Sequence, residues 1–313
     1  MPYNSQITRV DAADLIPEDV SREIVQGAAE QAITLRLMRR LPNMTTAQSK
    51  MPVLAGLPTA YFVTGDTGLK QTTEMEWSNK YIYAEELAVI VPIPEAVLDD
   101  SAYDIWGEVR PRLIEALGVA IDDAIITGTG APANWPDDFL TATAAAGNTI
   151  QLGDGNGDLI DDINMVMAQV EADSFEVRGW MAPATAKSRL RGLRGANGEL
   201  LFVPSITQGM PDVGPYGLPI GWSRNGVISE ANFHFMAGDF SQLVYAIRQD
   251  VTYKLLTEAV IQDGTGAIVY NLAQQDMVAL RVVMRLGWQC PNPIHRMQPV
   301  EANRYPAAVI LPA

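Results

Sequence analysis

Apolar residues recur at every fourth position through Ile105, Val109, Leu113, Leu117 and Ile121, and Ala124 and Ile125 extend the stripe towards Gly128. This spacing predicts a long amphipathic helix over 104–127, bent at Pro111. Asp99, Asp100, Asp104, Glu108, Glu115, Asp122 and Asp123 fall on or beside its other faces and are expected to be solvated surface charge, as are Asp161 and Asp162. A helical pattern also opens at Pro17, with Glu18 and Asp19 in its first turn, and runs to Arg40. Arg36, Arg39 and Arg40 crowd its far end. They either complement the helix dipole there or form a basic arm for an acidic neighbour or nucleic acid. Asp158 is placed to cap a further helix over 159–171.

Elsewhere the period is two. Met51–Leu54 and Ala60–Val63 read as strand, residues 65–68 carry turn chemistry, and Tyr81–Val91 alternates before becoming wholly apolar. Residues 50–91 therefore form a two-stranded ribbon. A ribbon of two strands is marginal in water by itself. This one is expected to lie against another body, most simply a second copy of the chain. Tyr61, Phe62 and Trp77 either pack within the ribbon or anchor it on that partner. Residues 128–138 are rich in Gly, Pro and Asn and mark a subdomain boundary, and 141–149 are small and polar. Residues 177–194 read as a strand, a Pro-broken turn and a short basic helix, and 196–205 as a turn and strand. Further strands are expected within 217–225, 234–256, 276–290 and 307–312, which gives an α+β chain.

The 313 residues are 48% hydrophobic, enough for a sizeable core. The net charge of −15 is uneven: residues 51–175 hold four basic and 21 acidic groups, whereas 176–313 hold 12 basic and 10 acidic. Phosphate contacts need Lys and Arg, so the acidic middle is not expected to grip nucleic acid. It reads as a solubilising face, or as a surface that sits beside a polyanion without adhering. One cysteine, Cys290, excludes an internal disulfide framework, and two histidines, His234 and His295, make imidazole sites scarce. No apolar stretch approaches the length of a membrane span, and the first 20 residues lack the apolar core of a signal peptide. Asp154, Asn156 and Asp158 alternate like the start of a calcium loop, but Leu159 and Met165 occupy the required Gly and Glu positions. The glycines at 128–130 follow a helix rather than a strand and lack a phosphate-loop lysine, and no nucleophile elbow occurs. Cys290 is expected to be a buried small hydrophobe and His234 a packed or exposed imidazole. No catalytic, cofactor or metal constellation is expected.

The order of these segments resembles the HK97-fold major capsid proteins of tailed bacteriophages, over about residues 15–311. Residues 15–42 are similar to that family's N-terminal arm and first helix. Residues 51–105 resemble its extended E-loop running into the peripheral domain, 104–127 its spine helix, 179–202 the strand–helix–turn segment of its axial domain, and 217–225 and 236–256 later axial-domain strands returning to the peripheral domain. The resemblance implies an HK97-like capsid fold divided into an N-terminal arm (1–49), E-loop and return strand (50–91), peripheral domain with spine helix (92–140), axial domain (141–250) and peripheral return strands (251–313). It implies a structural protein, not an enzyme. Pentamers and hexamers of the chain would tile an icosahedral head around double-stranded DNA, with separate scaffolding, decoration or portal proteins as further partners and no membrane. The particle would be assembled in the bacterial host cytoplasm and become the virion capsid. Spine helices of the family tend to face the interior, which would set much of the acidic region beside packaged DNA.

Two departures from the family pattern carry expectations. Some members have a long N-terminal scaffolding region, for which the arm here leaves no room. Some crosslink through an E-loop Lys, a late-strand Asn and a Glu seven residues beyond. Lys70 and Lys80 supply E-loop amines, but Asp276 and Val283 occupy the other two places, so no isopeptide bond is expected. The assembly contacts are assigned to Arg36, Arg39, Arg40, Tyr61, Phe62, Lys70, Trp77 and Lys80. An encapsulin-type nanocompartment shell enclosing cargo enzymes is the alternative within the fold. A monomeric α+β enzyme with an inserted arm is the alternative outside it.

Overall fold

The computed structural model describes residues 32–63, 68–100, 105–154, 158–194 and 214–313. The chain begins with α1 (Ile33–Leu37) and β1 (Arg39–Arg40), then forms the ribbon from β2 (Gln48–Leu54) and β3 (Trp77–Tyr83). Next come β4 (Glu85–Pro94), α2 (Glu95–Asp100), α3 (Ile105–Ile126), α4 (Phe139–Ala146), β5 (Thr149–Gln151) and α5 (Leu159–Ala172). They are followed by β6 (Gly179–Pro183), α6 (Lys187–Gly192), β7 (Ile220–Ser223), β8 (Phe235–Gly238), β9 (Val244–Leu256), β10 (Val260–Gln262) and β11 (Ile268–Asn271). The chain closes with β12 (Met277–Gln289) and β13 (Ala307–Leu311).

Two sheets carry the fold. One has the order β1-β9-β12-β4 and the other β5-β13-β8-β6-β7. The predicted long helix is α3. Its Leu113 and Leu117 pack on Leu280 and Val282 of β12, with Val89 and Val91 of β4 beside them. One helical turn further on, Ile121, Ile125 and Ile126 enter a second cluster with Phe139, Met181, Met236, Leu286 and Trp288, where the two sheets meet. Helix α5 covers the five-stranded sheet, burying Ile163, Val166 and Val170 against Ile150, Phe235, Ala308 and Ile310. Asp158 caps it as expected, accepting from the Ile160 N–H at 3.1 Å.

Several expectations change. The first helical pattern ends at Leu37, and its part before residue 32 lies outside the described residues. Arg39 and Arg40 are extended and pair in parallel with Val244 and Tyr245. The Leu243 carbonyl accepts from the Arg39 N–H at 2.9 Å and the Tyr245 carbonyl from the Leu41 N–H at 2.8 Å. The open edge of β9 captures this backbone, so these two arginines do not cap a helix. Residues 60–63 are not strand. Pro58 has no N–H to donate, and beyond Glu76 the ribbon keeps only irregular links. The small polar segment 141–149 is largely helix α4, capped by Asp138 at one end and closed by Gly147 in the left-handed conformation (φ 78°) at the other. The segment 196–205 lies outside the described residues. Strand β13 joins the five-stranded sheet between β5 and β8, whereas β12 returns to the four-stranded one.

The largest correction concerns charge. Asp122 and Asp162 are not solvated: they are 1% and 0% exposed. Asp122 accepts from the Ile33 and Thr34 N–H groups at 3.0 Å each, from the Thr34 hydroxyl at 2.6 Å and from Asn225 Nδ2 at 2.8 Å. Asp162 accepts from the Gly153 N–H at 2.8 Å. Buried carboxylates of this kind are tolerated because donors satisfy them.

Candidate assembly surface

The ribbon pairs from Gln48 opposite Tyr83 to Leu54 opposite Trp77. Beyond it the Glu76 carbonyl accepts from Ala55 and Gly56, Thr59 N–H donates to the Thr73 hydroxyl at 3.0 Å, and the Tyr61 hydroxyl donates to the Gln71 carbonyl at 3.0 Å. The ribbon thus remains double along its described length. Beyond the root several of its apolar groups are bare: Phe62 is 102% exposed, Leu69 89% and Trp77 65%. Tyr61 and Lys70 are exposed as well.

Its root is held firmly. Ile82 is buried with Met44, Val244 and Ala246. Gly287 in β12 makes the crossing possible, since a Cβ there would lie 2.1 Å from the Tyr83 carbonyl oxygen. Gln289 Nε2 donates to the Tyr81 carbonyl at 3.0 Å. A strap over 290–304 finishes the attachment. The Ile294 N–H donates to Leu54 at 3.1 Å, Arg296 to the Pro58 carbonyl at 2.6 Å, and Lys80 forms an ion pair with Glu301. The strap is itself shaped by the buried Arg304, which donates to the Asn292 side chain at 2.8 Å, the Asn292 carbonyl at 2.9 Å and the Gln298 carbonyl at 2.6 Å.

The residues assigned to assembly from the sequence therefore separate. Tyr61, Phe62 and Lys70 lie on the free part of the ribbon. Trp77 and Lys80 lie at its base, and Lys80 is engaged within its own chain. Arg36, Arg39 and Arg40 are exposed beside β9. Arg36 packs near Gly221 of β7, and Arg40 donates to Asn43 at 3.0 Å. Sequence reasoning gave no role to Gly287, Gln289, Arg296, Glu301 or Arg304. The proline-punctuated, irregular stretch between two apolar strands was the available signal.

Burial pushes the Cys290 thiol up to about 12, so it stays protonated. His234 is buried, and desolvation first, then the Arg189 charge, hold its pKa below the usual imidazole value. Glu230 lies 3.6 Å from its Nδ1, but the Glu230 charge is already taken by Arg189 at 2.8 Å, so we assign His234 as neutral. A groove of about 430 Å³ between α1, α3 and the four-stranded sheet is walled mainly by Leu35, Ile114, Leu117, Ile121 and Val251. Among the described residues no group of three His, Cys, Asp or Glu side chains converges on a metal position.

The Phage capsid family matches residues 12–293. The chain is 26% identical over 270 residues to the major capsid protein of Staphylococcus phage 80alpha, covering 84% of this chain and 78% of that one. A solved structure from Microbacterium phage Oxtober96 superposes with a TM-score of 0.86 at 37% identity, covering 99% of this chain and all of the other. One from Mycobacterium phage Adephagia gives 0.84 at 30% identity, with 99% of each chain covered.

Proposed function

The chain belongs to the phage capsid family, and from that premise we propose that its ribbon is the E-loop that fastens each subunit to the next in a phage head. It is a major capsid protein with the HK97-like fold, a structural subunit that associates with copies of itself into a shell. Its relatives are phage proteins, which does not favour the nanocompartment alternative.

The observation that carries the proposal is the contrast between a pinned root and a bare tip. Lys80, Gln289, Ile294 and Arg296 hold the base, while Phe62 and Leu69 face solvent almost completely. A chain that fixes an apolar arm in this way without covering it has its cover elsewhere. A second copy supplies that cover, so Tyr61, Phe62 and Trp77 act as anchors. Arg36, Arg39 and Arg40 form a separate contact patch. Pentamers and hexamers would enclose double-stranded DNA, with scaffolding, decoration and portal proteins as separate partners, and assembly would take place in the bacterial cytoplasm. The acidic 51–175 region would then repel packaged DNA weakly, allowing it to be packed and released. Asp122 and Asp162 do not contribute to that lining, because both are buried.

Negative-stain electron microscopy of the expressed protein tests this. Closed particles that are lost when residues 57–72 are replaced by a short Gly-Ser turn are the expected result. Particles that form equally well without the ribbon would overturn it.

A further inference from the structure

We propose that Asn225 is a self-modifying site, whose side-chain amide reacts with the backbone nitrogen of Gly226 and becomes a carboxylate that loosens α1 from α3. Asn225 lies just after β7 and directly before a glycine. Gly226 is exposed, carries no Cβ to shield its nitrogen and stands in the left-handed region (φ 83°). Its N–H donates no hydrogen bond among the described residues. The nucleophile of the reaction is thus an unengaged nitrogen on an exposed residue.

The electrophile is held and polarised. Asn225 Oδ1 accepts from the Ser223 hydroxyl at 2.6 Å and from the Val227 N–H at 3.3 Å. Two donors on one amide oxygen stabilise the negative charge that develops there when the carbonyl carbon is attacked. Ser223 is buried, so its hydroxyl acts where water screens it little. Asn225 Nδ2 donates to Asp122 at 2.8 Å, which fixes the plane of the amide. An unfolded chain meets only water at these positions, and water is not oriented in advance.

The Gly226 nitrogen gives its proton to water and bonds to Cγ of Asn225, and the carbonyl π pair moves onto Oδ1. Collapse of this intermediate expels Nδ2, which takes a proton from water and leaves as ammonia. Water then opens the cyclic imide at either carbonyl, giving aspartate or isoaspartate. No reactant other than water is consumed. Either product removes the Nδ2 donor and adds a carboxylate beside the buried Asp122. Two carboxylates sharing a site repel, and one is driven to hold a proton. Asp122 also binds the Ile33 and Thr34 N–H groups, so the repulsion falls on the junction of α1, α3 and the end of β7.

Peptide mapping by mass spectrometry tests this on the unassembled subunit aged in warm, mildly alkaline buffer, with the guanidinium-unfolded chain aged in parallel. Asn156 and Asn197, which also precede glycine, calibrate the unfolded rate. Conversion at Asn225 is expected to run about tenfold faster in the folded chain than in the unfolded one, and Ser223→Ala to slow the folded rate about tenfold. Asn225→Asp, which is one of the two products, should melt about 5 °C below wild type. A folded rate no greater than the unfolded rate, or one untouched by Ser223→Ala, would overturn the self-modification. The folded-against-unfolded comparison needs no variant, so it decides the matter even where Ser223→Ala fails to fold. An Asn225→Asp subunit that melts like wild type would overturn the loosening of α1.

Discussion

The Thr34 hydroxyl donates to the Asp122 carboxylate at 2.6 Å, joining α1 to α3 across 88 positions of chain. With the Ile33 and Thr34 N–H groups on the same carboxylate, the end of α3 serves as an external cap for the N-terminus of α1. Helix N-termini leave such donors open, and an anion beside them is favoured. Asp122→Ala would strand these buried donors and is expected to cost about 3 kcal/mol. Asp122→Asn, which keeps an acceptor but not the charge, should cost less. Urea unfolding of the unassembled subunit measures both, and equal stability of Asp122→Ala and wild type would contradict the capping role.

Gly287 fixes where the ribbon crosses β12. Because a Cβ would meet the Tyr83 carbonyl at 2.1 Å, Gly287→Ala must displace the backbone of the ribbon root. A loss of roughly 3 kcal/mol is expected from this overpacking, together with loss of particles. A Gly287→Ala protein that melts and assembles like wild type would show that the crossing is loose.

Phe62 should behave in the opposite way. Fully exposed in the subunit, it contributes nothing to the subunit's core, so Phe62→Ser is expected to change stability by less than about 0.5 kcal/mol. The same substitution should impair assembly. Parallel measurement of melting temperature and particle yield separates the two effects, and a destabilised subunit would place Phe62 in an intrachain role.

The ribbon lysines are expected to remain free amines in the shell. Lys80 is engaged by Glu301, and Val283, which the sequence resemblance sets at the place of the family's catalytic carboxylate, is an apolar residue only 8% exposed in β12. Denaturing gels of boiled particles should show the single-chain band, and high-mass ladders would refute non-covalent assembly.

Stability should fall on mild acidification. Desolvation is the first cause lowering the pKa of both His234 and His295 in the folded chain, with Arg189 and Arg304 respectively adding repulsion. The unfolded chain therefore takes up these protons first, near the ordinary imidazole value of about 6.5. Stability is complete above that pH and declines as pH falls below it. Melting curves between pH 7.5 and 5.5 check the slope, which His234→Gln should reduce.

By itself the sequence determined what depends on local spacing. The four-residue stripe specified α3, Asp158 specified the start of α5, and the Lys50–Val91 pattern specified a two-stranded arm, although Glu85–Val91 belong to β4 in the four-stranded sheet and not to the arm. Repeated burial on one face sets a period that a single chain can display. The tertiary structure alone decided the rest. Asp122 and Asp123 are adjacent and chemically identical, yet only Asp122 meets the open N–H groups of α1. Arg39 and Arg40 continue a helical pattern until the edge of β9 offers their backbone a partner. β13 reads as another apolar strand, and only the space between β5 and β8 gives it a sheet. The strap from Cys290 to Arg304 has no period at all, and its function lies in hydrogen bonds to Leu54, Pro58 and Lys80, more than 200 positions away. Such partners are chosen by proximity in the folded chain, which local spacing does not encode.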